Sequence, residues 1–166
     1  MVISKYLKKI LVLVFIFSFL NTYTSYASIK ESIRFKSITI EDGLSQSTVE
    51  TMSQDSKGYI WIGTSDGLNK YNGYKFKYYK NDKYNKNSLA SNYIIDIAED
   101  KDGYIWVATL EGASKINPNT DEIENFFADE NNGNLSNKRV CKIINTKDNK
   151  IFMATNDGLN IYDEKS

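Results

Sequence analysis

The chain repeats itself, and that repetition constrains the fold more than any single motif. At a displacement of 45 residues Leu44 falls on Leu89, Val49 on Ile94, Met52 on Ile97 and Asp55 on Asp100. The run Gly58-Tyr59-Ile60-Trp61-Ile62-Gly63-Thr64 falls on Gly103-Tyr104-Ile105-Trp106-Val107-Ala108-Thr109. A third copy lies 46 residues further on, carried by Leu135, Val140, Ile143, Asn149, Ile151, Phe152, Met153 and Thr155. The tail of the unit recurs as Asp66-Gly67-Leu68, Glu111-Gly112-Ala113 and Asp157-Gly158-Leu159. Such a chain stacks like units, and each gains stability from its neighbours.

Within a unit the local signals are strands and turns. Val49–Asp55 is a half-apolar run that ends in the turn Asp55-Ser56-Lys57-Gly58. Tyr59–Thr64 is almost continuously apolar, the pattern of a strand covered on both faces. Ser65-Asp66-Gly67 is a turn, where Gly supplies the positive φ. Leu68–Tyr71 is a third strand and Asn72-Gly73 a hairpin signal. Tyr74–Lys80 alternates aromatic residues with Lys, as suits an outer strand protected from edge pairing. The second unit has the same order, with Asn117-Pro118-Asn119-Thr120 as its third turn. Four antiparallel strands in about 45 residues, the second apolar on both faces, read as a β-propeller blade. The all-β expectation is therefore blade 1 at 44–80, blade 2 at 89–127 and an incomplete blade 3 at 135–163. Trp61 and Trp106 are expected to pack between blades. Ser32–Ile40 alternates through Ile33, Phe35, Ile38 and Ile40, and reads as a closing outer strand (32–40). Two-residue alternation and glycine turns exclude a helical solenoid, and the absence of heptads excludes a coiled coil.

The N-terminus reads as an export signal over residues 1–27. Lys5, Lys8 and Lys9 precede an apolar run of 11 residues, Ile10–Leu20. Small residues Ser25 and Ala27 then frame a cut between Ala27 and Ser28. An uncleaved anchor is the alternative, but a spanning helix needs about 20 apolar residues. Loss of the three leader lysines leaves 18 basic against 21 acidic residues in 28–166. The expected location is extracytoplasmic.

Composition then removes chemistries. Without His there is no Ser-His-Asp or Cys-His site and no His-ligated metal. One cysteine, Cys141, cannot close an intrachain disulfide and reads as a small, buried or half-buried apolar residue. A net charge of zero argues against nucleic acid. Asp66, Glu111 and Asp157 recur at one position. Their expected role is in the turn, where Asp bonds its own backbone, and not in metal binding. Asp100-Lys101-Asp102-Gly103 fails as a calcium loop, because Ala98 and Thr109 stand where carboxylates are required. No cofactor, catalytic or metal site is expected.

These residues resemble the two-component regulator propeller repeat: Val49, Asp55, Gly58-Tyr59-Ile60-Trp61-Ile62-Gly63-Thr64, Asp66-Gly67-Leu68 and Tyr71. The second copy keeps Asp100, Gly103, Trp106, Thr109 and Gly112; the third has Asn149 for Gly and Phe152 for Trp but recovers Thr155, Asp157 and Gly158. Phe35 to Ser47 resembles the start of such sensor regions. The resemblance implies a non-catalytic extracytoplasmic sensor module, in front of a membrane helix and a histidine kinase or diguanylate cyclase. Its ligand is unidentified, with carbohydrate one candidate. A propeller enzyme acting on polysaccharide, a glycosidase or lyase, is the alternative. About three blades fall below the four of the smallest propellers. The chain therefore reads as the N-terminal piece of a larger ring, with open blade edges able to self-associate; two chains closing one ring is the other arrangement.

Overall fold

In the computed structural model the residues described are 2–20, 33–128 and 134–162. The chain divides into two units, Met1–Lys36 and Ser37–Ser166. The first contains helix α1 (Val2–Leu20). No helix among the described residues is long and apolar enough to cross a membrane. Ala27 and Ser28, the expected cleavage site, lie outside the described residues.

The second unit is three antiparallel sheets. Blade 1 comprises β1 (Val49–Gln54), β2 (Ile60–Thr64), β3 (Gly67–Tyr71) and β4 (Phe76–Tyr79), in that spatial order. Blade 2 comprises β5 (Ile94–Glu99), β6 (Ile105–Thr109), β7 (Gly112–Ile116) and β8 (Ile123–Phe126). Blade 3 comprises β9 (Val140–Asn145), β10 (Ile151–Thr155) and β11 (Gly158–Tyr162), and β11 is its edge among the described residues. The inner strands gather: β1 lies against β5, and β5 against β9. The meander and its blades are those the repeat requires. The closing strand is not formed. Residues 33–39 pair with no strand, and Ile40–Asp42 is a 3-10 turn ending at Gly43, whose φ is 106°. Ile33 and Phe35 are 84% and 96% exposed.

Opposed residues in antiparallel strands project to one side, so each blade has two faces. On one face of blade 1 stand Trp61, Leu68 and Tyr79; on the other stand Met52, Ile60 and Ile62. The tryptophan face of blade 1 packs on Ile94, Ile97, Ile105, Val107 and Ile116 of blade 2. The same face of blade 2, with Trp106, Ala108, Ala113 and Phe126, packs on Val140, Ile143, Ile151 and Met153 of blade 3. Both indoles are fully buried between blades. An outer-strand aromatic covers each: Tyr79 lies 5.5 Å from Trp61 and Phe126 lies 5.3 Å from Trp106, centroid to centroid.

A buried indole N–H needs an acceptor. The Trp61 Nε1 donates to Asp55 Oδ2 at 2.8 Å, and Trp106 Nε1 donates to Asp100 Oδ2 at 2.8 Å. The other oxygen of each carboxylate receives two turn amides: Lys57 and Tyr59 in blade 1, Asp102 and Tyr104 in blade 2. Gly58 and Gly103 let that turn close at φ 87° and 82°. Blade 3 changes both partners. The Phe152 ring has no N–H to satisfy, and Thr146 replaces the Asp, its Oγ1 accepting the Lys150 amide at 3.0 Å. Asn149 takes the glycine's place at φ 62°, a conformation Asn tolerates.

This pairing generates a prediction. Trp106→Phe leaves a buried Asp100 oxygen without its donor and costs about 1–3 kcal/mol. Adding Asp100→Thr, the pair blade 3 uses, recovers a measurable part of that loss in denaturant melts. Additive losses would show that the two residues do not act as a unit.

Candidate functional site

The two ends of the blade stack differ in their chemistry. At one end lie the turns 55–59, 100–104 and 146–150 together with the third turns. Here blade 1 grips blade 2 through the 117–122 turn. Lys77 and the Tyr79 hydroxyl (2.6 Å) both donate to the Asp121 carboxylate, Lys57 donates to Asn119, and Lys70 donates to the Pro118 carbonyl at 3.2 Å. Lys70 also sits 4.2 Å above the Tyr59 ring and 5.1 Å above Trp61. Desolvation pushes its ammonium below the usual lysine range. Lys115 repeats the arrangement in blade 2, over Tyr104 and Trp106.

The hydrogen bonds from Lys77 and Tyr79 hold the Asp121 carboxyl below the usual carboxylate range. A depressed pKa stabilises the fold above the unfolded carboxylate pKa, about 3.9, and that contribution vanishes as pH falls through the lower folded value. We expect the melting temperature to fall more steeply below about pH 4 in the wild type than in Asp121→Asn. Parallel slopes in acid melts would remove Asp121 from the blade 1–blade 2 tie.

At the other end lie the β2–β3, β6–β7 and β10–β11 turns and the inter-blade connections. The repeated threonines staple the turns. Thr64, Thr109 and Thr155 donate from Oγ1 to the Gly67, Gly112 and Gly158 carbonyls at 2.9, 2.8 and 3.0 Å. Each also accepts the amide of the intervening acidic residue, at 3.1, 3.2 and 3.1 Å. Positive φ favours glycine at all three positions, and at Gly67 and Gly112 space requires it as well. Gly112 has φ 139°, and a Cβ there would meet the Phe126 carbonyl oxygen at 2.4 Å. The expected role of Asp66 and Glu111 is corrected. Threonine makes the side-chain bonds of the turn, and the carboxylates instead reach the inter-blade connections: Asp66 to Lys80 at 2.7 Å, Glu111 to Lys138 at 3.1 Å. Asp157 contributes its amide to the same staple. No group of three or more metal-ligating side chains occurs among the described residues.

The 81–88 connection belongs to the outer rim. Asn87 Oδ1 accepts the Ile123 amide, and the Ser88 carbonyl accepts from Asn125 Nδ2, so the loop lies along β8. Internal bonds brace it: Ser88 Oγ accepts the Asp82 amide, and Asp82 Oδ1 accepts the Tyr84 amide. A shallow groove of about 380 Å³ beside it is lined in part by Lys83, Lys86, Asn85 and Phe127. The corresponding 129–134 connection lies outside the described residues except for Asn134.

Nearer the inner strands at this end are Glu50, Tyr93 and Arg139. The Tyr93 hydroxyl donates to Glu50 Oε1 at 3.0 Å, which raises the phenol above its usual range, while the nearby Arg139 charge lowers it. Their significance lies in the repeat. Val49, Ile94 and Val140 repeat, yet the residues just before them are Thr48, Tyr93 and Arg139. The packing fixes one position and leaves its neighbour free to vary. Cys141, half-buried, donates from Sγ to Asn156 Oδ1 at 3.2 Å.

Comparison with known proteins agrees with the repeat and the architecture. Residues 43–66 and 88–111 match the two component regulator propeller family, one segment in each of the first two copies. Histidine kinase P4 of Formosa agariphila is 44% identical over 77 residues, covering 46% of this chain and 6% of that protein. The extracellular domain of a protein assigned as a hybrid two-component system in B. thetaiotaomicron superposes with TM-score 0.71 at 25% identity, over 78% of this chain and 19% of that one. A second such domain from the same organism gives TM-score 0.49 at 16% identity, over 81% and 24%. The chain thus spans a small part of each protein it matches.

Proposed function

We infer that this propeller segment is a non-catalytic, extracytoplasmic ligand-sensing module of a signal-transduction receptor. The observation that carries the reading is the likeness, at TM-score 0.71, to the extracellular domain of a hybrid two-component system. The match of two repeats to the two-component regulator propeller family supports it. The leader pattern in residues 1–27 accords with export. The side chains accord with binding more than with bond cleavage. The recurring Trp, Asp, Thr and Gly positions are consumed in holding the blades, and Asp66 and Glu111 are paired with lysines. A glycosidase would instead need two opposed carboxyl groups across a sugar-sized gap.

Ligand recognition in this reading falls to residues the packing leaves free. Glu50, Tyr93 and Arg139 near the inner strands are one such group, and Lys83 and Lys86 on the rim are another. The two groups make separable predictions. With neutral and acidic oligosaccharides as calorimetric probes, Tyr93→Phe or Arg139→Ala should weaken binding about tenfold, the loss of one hydrogen bond to a charged group. Lys83→Ala with Lys86→Ala should leave it unchanged if the inner group is the site, and the reverse result moves the site to the rim. Heat without binding for every probe, accompanied by turnover of one of them, would favour the polysaccharide-active enzyme. Export is tested separately. The mature protein should begin at Ser28, and an N-terminus at Met1 in exported material would refute cleavage.

A further inference from the structure

The junction between one blade and the next repeats in its backbone and differs in its side chains. At the blade 1–blade 2 junction the Ser91 hydroxyl accepts the Tyr93 amide at 3.2 Å, and the Tyr93 carbonyl accepts the Leu110 amide at 3.2 Å. At the blade 2–blade 3 junction Asn137 Oδ1 accepts the Arg139 amide at 3.0 Å, and the Arg139 carbonyl accepts the Asn156 amide at 3.3 Å. Ser91, Asn92, Tyr93 and Leu110 each stand 46 residues before Asn137, Lys138, Arg139 and Asn156. One scaffold thus carries four uncharged residues at the first junction, and two cations with two amides at the second. Packing does not ask for the exchange, because Lys138, Arg139 and Asn156 are exposed.

The second junction borders a shallow groove of about 570 Å³, lined in part by Leu110, Glu111, Asn137, Lys138, Arg139 and Asn156. Its amide acceptors are spent within the protein. Asn137 Oδ1 holds the Arg139 amide, and a main-chain N–H only donates, so Nδ2 is the end of that side chain left over. Asn156 Oδ1 accepts the Cys141 thiol at 3.2 Å, and Glu111 Oε1 accepts from Lys138 at 3.1 Å. Arg139 has no carboxylate within ion-pair distance among the described residues. The groove therefore sets two cations against one carboxylate, and its spare hydrogen-bonding capacity is mainly donors: a guanidinium, two amide Nδ2 groups and the rest of an ammonium. A guanidinium fork fits two oxygens of one oxyanion at once.

We propose that the blade 2–blade 3 groove binds an oxyanion group of a small ligand, a carboxylate, sulfate or phosphate, with Arg139 as its two-pronged anchor and Asn137, Lys138 and Asn156 as donors around it. The proposal rests on the ligand-sensing reading for its part in a receptor, and on the donor set for the binding itself. Lys138 contributes less than Arg139, because Glu111 already shares its charge. The blade 1–blade 2 junction, with the same backbone bonds and no charge at the four positions, does not bind the same group. Exposed charge contacts are individually weak, so the probes are simple anions at millimolar concentration.

The test titrates the isotope-labelled full chain. Sulfate, phosphate and acetate each replace chloride at constant ionic strength while backbone amide resonances are followed. At least one of the three should move the Asn137, Arg139 and Asn156 resonances along a saturating curve. The anion that saturates at the lowest concentration tells a carboxylate ligand from a sulfate or phosphate one. Arg139→Gln should weaken that binding about tenfold. Lys147→Gln, which removes an exposed cation from the turn at the opposite end, should leave it unchanged. If Arg139→Gln fails to fold, Arg139→Lys takes its place: it keeps the charge, loses the fork and should bind several-fold more weakly. Saturation by none of the three anions overturns the proposal. So does binding indifferent to Arg139, or equal weakening by Lys147→Gln, which would reduce the effect to net charge. Oligosaccharide binding that depends on Tyr93, with no oxyanion bound, keeps the sensing reading and overturns this groove. Oxyanion binding without any oligosaccharide response keeps the groove and overturns its part in sensing.

Discussion

The carboxylate–indole hydrogen bond underlies the packing of the first two blades. A tryptophan is the largest apolar side chain available to fill the space between two sheets, but its N–H cannot be buried unpaired without cost. Asp55 and Asp100 accept that hydrogen bond from the turn that leads into the tryptophan's own strand, and the same carboxylates gather the turn amides. One side chain therefore sets the turn, orients the indole and permits its complete burial. The isoleucines of the following blade then have a flat, dry surface to cover. Blade 3 dispenses with the bond and changes all three residues together: phenylalanine removes the donor, threonine replaces the acid, and asparagine holds the turn.

Around that interaction the blade separates constrained from free positions. The threonine staple, the glycine beneath it and the apolar inner strand are dictated by packing, and they recur. The acidic residue within the staple uses its amide for the turn and directs its carboxylate to a lysine of the inter-blade connection. That division explains why Asp or Glu serves there: only the backbone is demanded by the turn. Thr48, Tyr93 and Arg139 lie beyond the packing's reach, and there the copies diverge. The ligand sensing proposed for this scaffold would draw on such positions, because they change without disturbing the core.

The stack is also directional. Every blade carries one tryptophan-type face and one isoleucine-type face, so growth by addition never exhausts the pattern. Closure, or a partner, is the way such a stack buries its last two surfaces. The relatives that match this chain are several times its length, and in a longer polypeptide further repeats would occupy the same faces. The forces are the same whether the next blade arrives in the same chain or in another.

From the sequence, the repeat length, the four-strand meander, the positive-φ turns and the inter-blade tryptophans were all legible. Each is a periodic or local signal, set by side-chain alternation and backbone sterics. The Asp–Trp bond was not legible, although both residues recur, because a six-residue separation shows no contact until the strand and turn are built. The turn acids are illegible for a related reason: an Asp before Gly fits an Asx turn in sequence, and only the threonine's reach across the turn excludes it. Ser32–Ile40 read as a strand because its side chains alternate. Alternation specifies two faces but supplies no partner, and in this structure residues 33–39 have none. The rim position of 81–88 depends on Asn87 and Ser88 meeting β8, a contact between segments about 36 residues apart. Local chemistry thus wrote the blade, and the stacking of blades decided which side chains became scaffold and which stayed free to recognise something else.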